Sequence, residues 1–296
     1  MTHLATTPHV DAPVGAPPPG VWRSAWRMWR VRIGLLLLLL LAAVALGGPL
    51  VSPHGEAEFV GQPNTRDVPG TLLGSDYFGQ DVVARFLYGG RSILILATLS
   101  TALALVLGVT IGLVAAYNRG RLDDVLMRIM DINLAFPQLL LALVALTAIG
   151  PKPWLIVLIV GITTMPRIAR ITRGAAVPVV ERDFVGAAEA LGESRPRILW
   201  SELLPNVSGP LLVEANLRLT YSIGVIASLG FLGFSTRVNA ADWGLMVNEN
   251  RAALSVQPWG TVLPAVAIAT LTIATGLIAD GLSRASAGID RAKGDQ

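Results

Sequence analysis

Several uninterrupted apolar runs, each near the roughly 20 residues that an α-helix needs to cross a hydrocarbon core, constrain this chain more than any other feature. The first holds seven consecutive leucines from Leu35 to Leu41. With 53% hydrophobic and only 15% charged residues, and a mean hydropathy of +0.60, the composition leaves little polar surface for a soluble domain of 296 residues. An all-α integral membrane protein is the expected class, because only a helix satisfies every backbone polar group within one apolar segment. Six spans are predicted, at 33–51, 92–116, 132–149, 154–166, 209–231 and 261–279. The fourth is short, and reaches a full crossing only if the helix continues through Pro166.

The cations orient these spans, since positive residues in short loops stay on the cytoplasmic side. Arg23, Arg27, Arg30 and Arg32 precede the first run, and Arg119 and Arg121 follow the second. Arg167, Arg170, Arg173, Arg182, Arg195 and Arg197 occupy a long predicted loop after the fourth, and Arg284, Arg291 and Lys293 follow the sixth. Both termini are therefore expected on the cytoplasmic side of the membrane, with lipid as surroundings. A pI near 9.7 reflects these orienting cations; no aromatic-interleaved basic patch points to nucleic acid. The first run exceeds a signal-peptide core, and Gly47, Gly48 and Pro49 form no small-x-small cleavage site, so it reads as a retained anchor.

The divisions expected are a tail and interfacial helix at 1–32, the first span at 33–51, an outer loop with an amphipathic lead-in at 52–91, a core of five spans at 92–283, and a tail at 284–296. Within the first of these, Pro- and Gly-rich residues up to Gly20 predict disorder, and Trp22, Trp26 and Trp29 beside arginines predict a helix in the headgroup region. A second outer loop is expected at 235–260. Either outer loop suits an external partner or the capping of helix ends. Asp76, Asp81, Asp242 and Trp243 are the candidate contacts for such a partner.

Between the fourth and fifth spans lies ERDFVGAAEALGESRPRILWSELLP, residues 181–205. Residues 184–191 favour helix, and the adjacent Ala187 and Ala188 let another surface approach the backbone. Gly192 suits the left-handed position after a helix end, and Ser194 with Pro196 opens a second helix that Pro205 is expected to end or kink. This helix-turn-helix is predicted to be a docking surface.

No P-loop, HExxH, G-x-S-x-G or histidine cluster occurs, cysteine is absent, and the three histidines are His3, His9 and His54. The chain is expected to be no enzyme and to bind no metal or cofactor. Ionisable residues inside spans are functional candidates because lipid burial is costly. Glu214 and Arg218 stand four apart, with Asn216 between them, while Asp131 and Asn133 open the predicted third span and Pro137 kinks it. These five line a translocation path, or else Glu214 and Arg218 neutralise each other and Asp131 is interfacial or caps a helix.

The docking segment resembles the EAA loop of permease subunits of ATP-binding-cassette (ABC) importers: Gly186-Ala187-Ala188, Gly192 and Leu204-Pro205 hold the motif positions, with Gly186 where the motif has Glu. LGSDYFGQDVVARFLYGGRSIL from Leu73, MRIMDINLAFPQLLLAL from Met127, FLGF from Phe231 and DWGLM from Asp242 are similar to the dipeptide, oligopeptide and nickel group, C-type subunit. The resemblance implies the type I importer permease fold and a heterodimer with a second permease. It also implies two ABC ATPases that hold ATP and Mg, and an extracytoplasmic solute-binding protein. Phe184, Gly186, Ala187, Ala188, Glu189, Gly192, Leu204 and Pro205 would form the ATPase-coupling site. Short peptides are the implied cargo, with nickel chelates or glutathione as alternatives and a nontransporting assembly subunit as a different class.

Overall fold

A computed structural model describes residues 25–235 and 240–287, all helix and loop apart from two isolated bridges, Phe59 with Gln80 and Ser75 with Asp81. Its elements are α1 (Trp29–Val51), α2 (Val82–Asn118), α3 (Gly120–Ala135), α4 (Gln138–Ile149), α5 (Pro153–Val180), α6 (Asp183–Ala190), α7 (Leu204–Phe231), α8 (Trp243–Asn250) and α9 (Trp259–Ala287). The tail up to Gly20, Trp22, Arg23, Arg291 and Lys293 lie outside the described residues.

Four of these helices, α1, α2, α5 and α9, are long and apolar enough to cross a membrane. α3 and α4, bent by 78° at the break, are long and apolar enough only as a pair, as one broken span or a re-entrant loop. The predicted Pro137 kink is thus a full interruption: proline at the α4 N-cap has no N–H to offer the preceding turn. The predicted fifth span is α7, whose 28 residues reach about 42 Å. Its length suffices, but Glu214, Asn216 and Arg218 dilute its hydropathy.

Other boundaries shift for local reasons. Trp29 opens α1. Asp81 accepts from the Val83 N–H and caps α2, so the expected lead-in and second span are one helix of 37 residues, about 55 Å long. The fourth span is α5, 28 residues that run through both Pro166 and Pro178. Arg167, Arg170 and Arg173 therefore sit on a helix, not in a loop. Pro205 does not end the second helix of the docking segment. A turn at Arg195–Arg197 and a π-helical stretch at Ile198–Leu203 lead straight into α7. The wider turn accommodates a proline that cannot donate to the preceding turn.

Small residues set the helix spacing, as expected where lipid gives no hydrophobic drive for association. A methyl on Gly108 or Gly112 of α2 would lie 2.8 Å from the Met165 carbonyl or 2.5 Å from the Ala169 carbonyl of α5. One on Gly34 of α1 would lie 2.7 Å from the Ala274 carbonyl of α9. Two apolar clusters result. One, around Ile93, Ile156, Ile223, Trp243 and Leu271, lies toward the end bearing the long loops. The other, around Leu113, Met130, Ile168, Val185 and Leu203, lies toward the end bearing the arginines. These are called the loop end and the basic end.

Candidate functional site

At the basic end α6 is fastened by its own sequence. The Glu193 N–H bonds the Ala188 carbonyl at 3.1 Å and the Gly192 N–H bonds Glu189 at 3.0 Å, while Gly192 takes φ +79°. This is the Schellman closure anticipated for Gly192. Val185 and Ala188 turn inward to the basic-end cluster, and Phe184 is half-buried. The opposite face presents Asp183, Gly186, Ala187, Ala190 and Leu191, the last 83% exposed. A side chain at Gly186 would meet nothing within 4 Å, so its glycine leaves a flat face without serving packing in this chain. Of the expected coupling residues, Ala188 faces the core, whereas Glu189 accepts a hydrogen bond from the Tyr117 hydroxyl at 2.7 Å. Leu204 is half-buried and Pro205 exposed on the turn into α7.

The five candidate path residues come to different helix contacts. Arg218 Nε lies 2.6 Å from Glu214 Oε1, and both side chains are buried. They share a face with Ser222, which accepts from Thr101 of α2 at 3.2 Å. The pair is thus neutralised within the packing of this chain, and the Arg218 guanidinium also stands 4.8 Å from the Tyr221 ring centre. Asn216 donates to the Thr275 carbonyl of α9 at 2.6 Å. Asp131 does not start a helix; it lies late in α3 and pairs with Arg170 of α5. Asn133 donates to the Ile162 carbonyl at 3.3 Å.

Sequence reasoning missed the arginines that complete this set. Arg173 grips Asp123 with two bonds of 2.5 Å, one turn along α5 from Arg170. The signal was available: Asp123 and Asp131 on α3 are matched by two arginines three apart, once α5 is allowed past Pro166. Planar bidentate pairing of this kind fixes orientation as well as charge.

The loop end is a polar cap. Arg85, 0% exposed near the start of α2, pairs with Asp76 and with Glu249 of α8 at 2.9 Å, and donates to the Ala240 carbonyl at 3.3 Å. Asp76 also accepts the Phe78 and Gln80 N–H groups, each at 2.9 Å. Trp243 stacks on Phe86 with centroids 5.4 Å apart and donates to the Phe86 carbonyl at 2.9 Å. Asp76, Asp81, Asp242 and Trp243 are all buried, which corrects their expected role as surface contacts. They build the cap. Beside the cap, Glu56, Tyr88, Arg91, Ser92, Leu96 and Ala241 help to line a recess of ≈ 450 Å³.

Asp242 caps α8 by accepting from Gly244 at 2.9 Å and Leu245 at 3.2 Å, and it accepts from the Ser92 hydroxyl at 2.5 Å. Burial raises its carboxyl above the usual range, against those hydrogen bonds. A raised folded-state pKa contributes stability below the unfolded value of about 4, which is lost as pH rises through the folded value. Asp242→Asn, which keeps the cap without the charge, is expected to melt no lower than the parent at pH 8. Asp242→Ala, which loses the cap, should be destabilised by about 1 kcal/mol or more. Thermal melts in detergent at pH 5 and pH 8 check both; a strong loss with Asn would overturn the assignment.

Among the described residues no group of three or more His, Asp or Glu side chains is placed to hold a metal.

Comparison with known proteins gives a consistent result. Residues 108–287, from the middle of α2 to the end of α9, match the family described as binding-protein-dependent transport system inner membrane component. A Brucella suis biovar 1 protein provisionally named a peptide transport system permease is 37% identical over 95% of this chain and 96% of its own length. The di/tripeptide transport system permease protein of Pseudomonas aeruginosa is 32% identical over 95% and 96%. Among solved structures, the inward-facing methionine ABC transporter MetNI matches with TM-score 0.51 at 18% identity, covering 67% of this chain and 96% of that one. That last likeness concerns the fold alone.

Proposed function

Because the chain belongs to the family of binding-protein-dependent transport system inner membrane components, we propose that it carries short peptides through the bacterial inner membrane, one of two permeases in a heterodimer. A solute-binding protein delivers the peptide at the loop end, and two ABC ATPases, holding ATP and Mg, dock at the basic end. The single observation behind this reading is the small-residue face of α6, Gly186, Ala187 and Ala190 beside Leu191. It has no bulk of its own, and so it can seat closely in a groove on another protein. Both termini lie in the cytoplasm in this arrangement, on the same side as the ATPases.

The mechanism in this reading is alternating access. Closure of the ATPases displaces α6, and α6 is packed through Val185 and Ala188 into the same cluster as α2 and α5. A displacement there is therefore passed to the spans as a rigid-body movement. Uptake of a labelled dipeptide by cells with and without this chain tests the proposal. Uptake is expected to vanish without it and to be competed by unlabelled dipeptide but not by glutathione or a nickel chelate. Undiminished uptake in its absence would reject the function, and competition by glutathione alone would reject the cargo.

A further inference from the structure

Two acidic residues flanking and within α6, Glu181 and Glu189, are held by this chain itself. Glu189 is held by Tyr117, the penultimate residue of α2, through a hydroxyl-to-carboxylate bond of 2.7 Å. Glu181, two residues before α6, pairs at 3.1 Å with Arg119, directly after α2. Arg119 adopts φ +50°, uncommon for a residue with a side chain, so the chain reverses sharply there. One end of α2 therefore grips both flanks of α6. Its other end carries Arg85, locked to Asp76 and Glu249, and Phe86, locked to Trp243. Between these two ends α2 is one unbroken helix of 37 residues without proline.

No other helix in the described residues joins the two ends in this way. α5 reaches the basic end but contains two prolines, and α7 reaches it through a π-helical stretch. A continuous helix transmits a tilt applied at one end to the other, whereas a broken or bulged one absorbs it.

We propose that α2 is the strut that carries docking at the polar cap to α6, with the Tyr117–Glu189 bond as its joint. This rests on the transport reading above. It assigns Glu189 as a positioning residue, braced against its own chain, and leaves the flat small-residue face as the part that meets the ATPase. An exposed pair such as Arg119 with Glu181 contributes little energy, so the joint depends mainly on the half-buried tyrosine.

The test uses the complete transporter, with both permeases, both ATPases and the binding protein, in liposomes. Two rates are measured: ATP hydrolysis alone, and hydrolysis stimulated by peptide-loaded binding protein. Tyr117→Phe removes one hydroxyl and is expected to lower the stimulation ratio about fivefold, the effect of one hydrogen bond, with unstimulated hydrolysis and ATPase copurification unchanged. Glu189→Gln keeps the acceptor and should retain most of the stimulation, while Glu189→Ala should match Tyr117→Phe. The double change Tyr117→Phe/Glu189→Ala should be no worse than either single one. Full stimulation in Tyr117→Phe would overturn the joint, as would an additive double variant, which would place Glu189 on the ATPase instead. If the unaltered transporter shows no stimulation at all, the transport reading fails, and that outcome is distinct from failure of the joint.

Discussion

Replacing Ala187 by glutamate is expected to reduce dipeptide uptake at least about 100-fold while the protein still inserts and folds. Ala187 lies on the exposed face of α6, so a larger side chain there disturbs nothing within the chain. Against an ATPase groove the same side chain adds bulk and an unpaired carboxylate. Burying that charge at an interface costs several kcal/mol, and about 3 kcal/mol already corresponds to roughly a hundredfold in affinity. Ala188→Glu makes the control. Its side chain faces the basic-end cluster, so it should fail by misfolding, with low membrane levels and early proteolysis. Copurification of the ATPase separates the two: lost from well-folded Ala187→Glu, and unmeasurable in a destroyed Ala188→Glu. Normal ATPase binding and uptake in Ala187→Glu would remove α6 from the interface.

The second large effect is expected at the other end of α2. Arg85→Met leaves Asp76 and Glu249 buried without their shared cation, and breaking a buried pair from one side costs on the order of 3–5 kcal/mol. Burial already raises the Glu249 carboxyl above its usual range, with Arg85 as the main opposing influence, so loss of the guanidinium should push Glu249 toward its neutral form. The variant should unfold at a markedly lower temperature in detergent, and the deficit should shrink at low pH as the stranded acids protonate. Arg85→Lys keeps one charge but not the donor set that reaches Asp76, Glu249 and the Ala240 carbonyl together. It should fall between the parent and Arg85→Met. An Arg85→Met protein as stable as the parent would mean that the cap does not depend on this network.

The cap also explains why glycines recur where α2 begins. A methyl on Gly90 would lie 2.5 Å from the Trp243 ring and 2.6 Å from the Ala45 side chain, and one on Gly89 would lie 2.9 Å from the same indole. The pair Gly89-Gly90 is needed for close approach, and so it does not break α2 despite the usual helical penalty of glycine. Trp243 in turn could not be 0% exposed without that gap. Read in the sequence, the tryptophan was a candidate contact for an external partner. Its burial depends on residues more than 150 positions away.

The residues of the membrane charges teach a similar lesson. Glu214 and Arg218 were legible as an ion pair, because a separation of four on a helix brings them to one face whatever surrounds them. Asp131 with Arg170, and Asp123 with Arg173, were legible only to a reading that carries α5 past Pro166. Each needs α3 and α5 side by side, and the prolines at Pro166 and Pro178 concealed how far α5 extends. Proline inside a span is tolerated when neighbouring helices hold it, and the neighbours belong to the tertiary structure.

The sequence by itself determined that the chain is a helical membrane protein, where its apolar runs lie, and that a Gly192-terminated helix with a small-residue face stands between two of them. These are local matters: hydropathy over about 20 residues, spacing along one helix, and the conformations open to glycine and proline. Only the tertiary structure decided that the lead-in and the second span form one helix, that the third span is broken by 78°, and that the cap acids and Trp243 face inward. It alone turned Glu189 back onto Tyr117. Those outcomes depend on which side chain stands opposite which across a helix contact, and residues distant in sequence meet there only once the whole bundle has formed.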